Sequence, residues 1–156
     1  MFRGISSINL DDKGRFAIPT RYRDALESCC HRQLVVTVAV NAQCGGEQGC
    51  LWLYPLPEWE KLEQTLITLP TLNNTASKLK RFLIGNATEC EMDRHGRLLL
   101  PEKLRLFTAM DKKIILLGQL NKFEIWNEQA WCAKESDWLE RDDDNVGLEQ
   151  LGFLSF

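Results

Sequence analysis

The sequence has no apolar stretch near the ~18–20 residues that a membrane-spanning helix needs, so no segment reads as transmembrane. Its first residues, MFRGISSINLDDKGR, hold no apolar core of the kind that marks a secretory signal, and the expected compartment is the cytoplasm. A phosphate-cradling glycine loop, a nucleophile elbow and a HExxH zinc motif are also missing. Histidine is scarce: His31 and His95 are the only two, and neither has a nucleophile beside it in sequence. An enzyme is therefore not expected, nor is a cofactor or a small-molecule substrate.

Six cysteines are present, but they do not form a scaffold pattern. Cys29 and Cys30 precede His31, and Cys44 and Cys50 flank a glycine-rich segment. Neither cluster has the two close ligand pairs of a zinc site, and a chain of 156 residues can bury a core without staples. Free thiols are expected, and no metal. A hydrophobic fraction of 44% with 26% charged residues is the mixture of a globular protein.

The net charge of −3 argues against a nucleic-acid partner until its distribution is considered. Within residues 1–23, Arg3, Lys13, Arg15, Arg21 and Arg23 outweigh Asp11 and Asp12, a local balance of +3. Residues 135–150 carry seven carboxylates against Arg141 alone, a balance of −6. Binding follows the local patch rather than the sum.

A duplication organises the chain. Asp11-Asp12-Lys13-Gly14-Arg15 superposes on Asp93-Arg94-His95-Gly96-Arg97 at a shift of 82 residues. The match continues through Pro19 over Pro101 and Arg23 over Arg105. Leu51-Trp52-Leu53-Tyr54 then falls on Phe123-Glu124-Ile125-Trp126, and Trp59 on Trp131, at a shift of 72. The first copy therefore holds ten extra residues, which the glycine-rich loop from Cys44 to Cys50 is expected to absorb.

Each copy reads as a small β-rich unit. Ile5–Leu10 and Arg15–Ile18 are expected to pair as a hairpin around Gly14, with Gly96 in the equivalent turn. Pro19 and Pro101 suit the first turn of a helix. Leu34–Val40 and Ile114–Leu117 are apolar runs of strand length, followed by strands at Leu51–Tyr54 and Phe123–Trp126. Closing helices are expected around Trp59, Leu62 and Leu66, and around Trp131, Glu135 and Trp138. Both Trp59 and Trp131 read as core. A further helix is expected over Ser77–Ile84, with Gly85 as its stop. The organisation expected is one module over 5–54, connecting helices over 55–85, a second module over 86–128, and a C-terminal helix with an acidic tail over 129–156. At about 50 residues a module's burial is marginal for independent stability. The two copies should therefore share one pseudo-twofold core.

Phe16 and Ile18 alternate with Arg15 and Ala17, so Arg15 should point away from the core beside a tight turn, with Lys13 at its tip. A guanidinium so held can fork onto a phosphate or a guanine edge. Alternatively, Arg15 pairs with Asp11 or Asp12 and only pins the turn. Recurrence of the spacing at Asp93 and Arg97 does not separate these roles. In the second copy His95 replaces Lys13, and Leu98-Leu99-Leu100 is apolar at every position, so that strand is expected to be covered on both faces and Arg97 to be the weaker candidate.

The opening MFRG, DDKGR running into FAIPTRYR, LYPLPEW, FLIGNATECEMDRHGRLLLP and GQLNKFEIW, in that order, closely resemble the MraZ family from Met1 to about Trp131. The resemblance implies an α+β, β-rich fold: two tandem SpoVT/AbrB-like swapped-hairpin modules forming a pseudo-twofold core with flanking helices. It also implies a bacterial transcriptional regulator, associated with the nucleoid, that represses the division and cell-wall gene cluster. Its partners would be G-rich direct repeats of double-stranded DNA in its own promoter, and copies of itself in a ring. Carried over residue by residue, the acid-x-x-x-Arg motif falls on Asp11 and Arg15 and on Asp93 and Arg97, with Gly14 and Gly96 shaping the turns. DNA contact falls first on Arg15, then on Lys13 and Arg3, with Arg97 and Arg94 weaker. The alternative is a protein-interaction or assembly module with an antitoxin-like role.

Overall fold

The computed structural model describes residues 1–41, 45–140 and 151. Its larger sheet is antiparallel with six strands, and its smaller one is a two-stranded ribbon. In chain order the strands are β1 (Phe2–Asn9), β2 (Arg15–Ala17), β3 (Gln33–Val40), β4 (Gly46–Pro55), β5 (Thr88–Glu91), β6 (Arg97–Leu99), β7 (Lys113–Leu120) and β8 (Phe123–Asn127). The helices are α1 (Thr20–Cys30), α2 (Leu56–Ile67), α3 (Asn74–Leu83), α4 (Glu102–Phe107) and α5 (Glu128–Glu140). The fold is α+β.

The two copies exchange strands. In the large sheet the order is β1-β7-β8-β4-β3-β5, so β1 of the first copy pairs with β7 of the second, and β5 of the second with β3 of the first. At the centre β4 pairs with β8, with Trp52 opposite Glu124, the positions that the 72-residue shift superposes. In the ribbon Phe16 lies opposite Leu98, the positions that the 82-residue shift superposes. Both self-equivalent pairs mark the pseudo-twofold axis. Reciprocal bonds flank the ribbon pair: Ile18 N–H donates to the Gly96 carbonyl at 2.8 Å, and Leu100 N–H to the Gly14 carbonyl at 2.9 Å.

The expected β1–β2 hairpin therefore does not form. Local turn chemistry is satisfied, since Asp11 N–H donates to the Arg15 carbonyl at 2.8 Å. Beyond that bond the strands part: β1 runs along β7 for eight residue pairs, and β2 pairs with β6 for three.

The core explains the strand sequences. Leu34, Val36, Val38, Leu51, Leu53, Ile114, Leu116, Phe123 and Ile125 face one side of the sheet, where Phe16, Ile18, Tyr22, Leu26, Leu98, Leu100 and Leu104 cover them. Val35, Tyr54 and Trp59 pack on the other side with α2 and α3, while Ile115, Trp126 and Trp131 pack there with α5. A strand buried on both faces needs apolar residues at nearly every position, hence the long runs. The one polar residue within Leu34–Val40, the buried Thr37, donates its hydroxyl to the Leu83 carbonyl at 2.7 Å. Trp59 and Trp131 are core residues, each against the aromatic ring that the duplication supplies: Tyr54 at 5.7 Å and Trp126 at 5.6 Å between centroids.

Several expected boundaries shift. Pro19 and Pro101 occupy the N-cap positions, with ψ of 137° and 139°, one residue before the first helical turn. The third helix starts at Asn74 rather than Ser77, because the Asn73 side chain accepts the Ala76 N–H at 3.0 Å and caps it early. Residues 46–50 of the glycine-rich segment lie in β4, with Gly46 opposite Val40, so part of the ten-residue insertion lengthens a strand instead of a loop. Cys44 and nearly all of the acidic tail fall outside the described residues.

Candidate nucleic-acid interface

Asp11 builds the first turn. Its Oδ1 accepts the backbone N–H of Lys13 at 2.9 Å and of Arg15 at 2.8 Å, while Gly14 N–H returns to the Asp11 carbonyl at 3.0 Å. Asp93 repeats the arrangement with His95 at 2.8 Å, Arg97 at 2.9 Å and Gly96 at 3.0 Å. Gly14 and Gly96 take φ of +83° and +75°, the left-handed region where a side chain would be strained. The N–H of Arg15, then that of Lys13, holds the Asp11 carboxyl below its usual range, and those of Arg97 and His95 do the same for Asp93.

These turns aim the ribbon. Phe16, Ile18, Leu98 and Leu100 point into the core, so Arg15, Ala17, Arg97 and Leu99 face outward. Arg15 sits opposite Leu99, and Ala17 opposite Arg97. The two arginines are thus diagonal neighbours on one face, roughly 7–8 Å apart between Cα atoms. Lys13 and Arg94 are exposed beyond opposite ends of the ribbon, because its strands run antiparallel.

Each arginine also meets its own acid. Arg15 Nε lies 3.5 Å from Asp11 Oδ2, and Arg97 Nε donates to Asp93 Oδ2 at 3.1 Å. Both pairs are solvent-accessible, and pairs of that kind contribute only about 0–1 kcal/mol. They orient the guanidinium without tying it up: among the described residues its terminal nitrogens make no hydrogen bond. The structural role and the outward one coexist.

The second strand is not covered on both faces, as its three leucines had suggested. Leu98 and Leu100 are buried, but Leu99 is 53% exposed, because β6 closes a two-stranded ribbon whose outer face no described residue covers. One ground for ranking Arg97 below Arg15 falls with it; the other, His95 in the place of Lys13, stands. Arg97 is the more exposed side chain, at 44% against 33%. Its turn also carries Arg94 where the first turn carries Asp12.

Arg3 stands apart. It lies near the start of β1, six residues from Asn9, or about 20 Å along an extended strand from the turn.

Two residues that sequence reasoning gave no role complete the site. Arg23 Nε donates to the Ile18 carbonyl at 2.7 Å, and its side chain covers Gly96. Arg105 Nε donates to the Leu100 carbonyl at 3.1 Å, and its side chain covers Gly14. Each arginine braces the turn of the other copy. The only signal in the sequence was their recurrence at the 82-residue shift.

The described thiols lie off the ribbon. Burial pushes Cys30 up to about 11, Cys90 to about 12 and Cys50 higher still, while Cys29 and Cys132 are exposed. No three His, Cys, Asp or Glu side chains among the described residues could share a metal ion. No described helix is long and apolar enough to cross a membrane.

Exchanged strands, one shared core and twin acid-Gly-Arg turns define a protein made of two fused copies of one module. The family profile described as "MraZ protein, putative antitoxin-like" matches residues 1–82 and again 83–145. The transcriptional regulator MraZ of Methylococcus capsulatus (strain Bath) is 53% identical over 97% of this chain and 95% of its own. That of Idiomarina loihiensis is 48% identical over 97% of each, and that of Alkalilimnicola ehrlichii 45% over 99% of each. The chain belongs to the MraZ family. The family is one of transcriptional regulators and not of enzymes.

Proposed function

We propose that the chain is a sequence-specific DNA-binding repressor that lays its β2–β6 ribbon in the major groove. The diagonal placement of Arg15 and Arg97 on the ribbon's outward face carries this reading. A two-stranded ribbon fits a groove about 12 Å wide, and an arginine forks onto the O6 and N7 of guanine, so the preferred sites are G-rich. Lys13 and Arg94, beyond the ribbon's ends, suit phosphates, which fix register without reading sequence. Asp11 and Asp93 hold the geometry, with Gly14 and Gly96. Arg3 lies too far along β1 to share a base step with Arg15, so its DNA contact is with a phosphate farther along the groove.

The module's twofold pairing is used up inside one chain. Further association is then head-to-tail, which closes into a ring. Met1, Ile5 and Leu120 are exposed at the open β1 edge and offer an apolar start for such a contact. A ring repeats one head in one orientation and favours direct repeats about one helical turn apart. Each head has few cations, so useful affinity needs several at once. The site of action is the chain's own promoter, ahead of the division and cell-wall gene cluster, and the location is the cytoplasm at the nucleoid.

The test is a titration of wild type and Arg15→Ala against duplexes with one or several G-rich repeats, at two salt concentrations. Wild type should prefer the tandem site and lose affinity steeply with salt. Arg15→Ala should lose binding with its melting temperature unchanged. Equal affinity for single and tandem sites overturns the ring. Unaltered binding by Arg15→Ala overturns the reading face.

A further inference from the structure

The ribbon's outward face breaks the pseudo-twofold at one position. Arg15 and Arg97 are equivalents under the 82-residue shift, but Leu99 is the equivalent of Ala17. Arg15 therefore has a large aliphatic neighbour directly across the ribbon, and Arg97 has only a methyl group. Leu99 is 53% exposed on a face shared with Arg15, Arg97 and the small Ala17, and the core lies on the opposite side of its strand. Packing does not account for it.

We propose that Leu99 is a specificity-determining residue that reads the 5-methyl group of a thymine next to the base that Arg15 contacts. The inference rests on the DNA-binding reading above. Directly opposed residues in an antiparallel pair have Cβ atoms about 4.5–5.5 Å apart. That is close to the rise of one base-pair step, about 3.4 Å. With Arg15 forked onto one base edge, Leu99 meets the edge of a neighbouring pair. The thymine methyl is the one apolar group that the major groove displays, and contact with an aliphatic side chain buries both. At the other half of the ribbon Ala17 has three fewer side-chain carbons than Leu99 and stops short of a methyl group that Leu99 would meet at the same depth. The head therefore has a direction: one half reads two adjacent base pairs and the other half reads one. An asymmetric face of this kind selects an asymmetric site, although the two turns carrying it are twofold-related.

Deoxyuridine differs from thymidine only by the missing methyl group, so it isolates the contact. The full chain is titrated against a promoter duplex that it binds, then against duplexes in which each thymine in turn is replaced by deoxyuridine. For wild type one replacement within each repeat should weaken binding about fourfold, the worth of one buried methyl group. Leu99→Ala should bind the thymine and deoxyuridine duplexes equally, with wild-type melting temperature and subunit assembly. Arg15→Ala should lose affinity for both. Indifference of wild type to every replacement overturns the inference, as does a Leu99→Ala chain that still distinguishes them. So does loss of assembly in Leu99→Ala, which would make Leu99 a subunit contact. These results leave the DNA-binding reading standing as long as Arg15→Ala loses binding. A wild-type chain that binds no promoter duplex removes both.

Discussion

Arg105 lies flat over Gly14, so that a methyl group at Gly14 would fall 2.5 Å from the guanidinium carbon. Two separate forces thus hold glycine there: the positive φ and the arginine of the other copy. They can be measured apart. Gly14→Ala should destabilise the fold by the left-handed backbone strain, roughly 1–2 kcal/mol, plus whatever Arg105 loses by swinging away from the Leu100 carbonyl. In an Arg105→Ala background only the backbone part should remain. A thermal or urea double-mutant cycle reads the coupling. Strict additivity would show that the arginine does not brace the turn.

The acids of the turns set an acid limit. Asp11 and Asp93 have carboxyls held below their usual value of 3.8 in the folded chain, chiefly by the N–H groups of Arg15 and Arg97. A lowered folded pKa means that the ionised form is favoured by folding. That stabilisation is complete above the unfolded value and is lost as pH falls through the folded one. Replacing both acids by asparagine keeps a side-chain oxygen for the two N–H bonds but removes the titration. The double variant should be less stable than wild type at neutral pH, with a shallower fall between about pH 4 and 2. Identical acid limbs in the two proteins would show that the turns do not titrate.

Strand exchange makes each copy incomplete. Residues 1–82 lack β7, which supplies all eight partners of β1 from Phe2 to Asn9, and Leu98, which covers Phe16. An unpaired strand over an uncovered phenylalanine cannot persist as a monomer. Residues 1–82 and 83–156 should each be unfolded, or fold only by self-pairing, and should recover the native amide protection pattern when mixed. A folded monomer of residues 1–82 would show that the exchange is dispensable.

Much of this architecture was legible, and what was not has physical reasons. Leu34–Val40 announces a strand because both of its faces are buried, and Trp59 and Trp131 announce core by recurring against Tyr54 and Trp126. The hairpin of β1 with β2 was misread because Asp11 and Gly14 make a genuine hairpin-type turn. Partner choice is settled more than a hundred residues away at β7, where no local signal points. Leu99 was misread because hydrophobicity records what a side chain is, not what lies above it. The bracing by Arg23 and Arg105 left no local trace, since each touches a turn that its own segment does not contain.

Arg97 should matter to DNA binding as much as Arg15 does. Both stand on the same face, both are oriented by an acid four residues earlier, and neither has its terminal nitrogens bonded within the described chain. Loss of one base-reading arginine costs about 1–3 kcal/mol of discrimination, or about five- to more than a hundredfold in affinity for the correct site. Arg97→Ala should therefore weaken binding to a G-rich duplex to within about tenfold of Arg15→Ala. It should also relax preference at a different base, since the two side chains reach different steps of the groove. Arg94→Ala, by contrast, should weaken binding evenly across sequences and reduce the salt dependence by about one phosphate contact. Competition titrations against single-base variants of the site separate these patterns. Wild-type affinity in Arg97→Ala would confine base reading to the first turn, leaving the second as a structural turn that Arg23 braces.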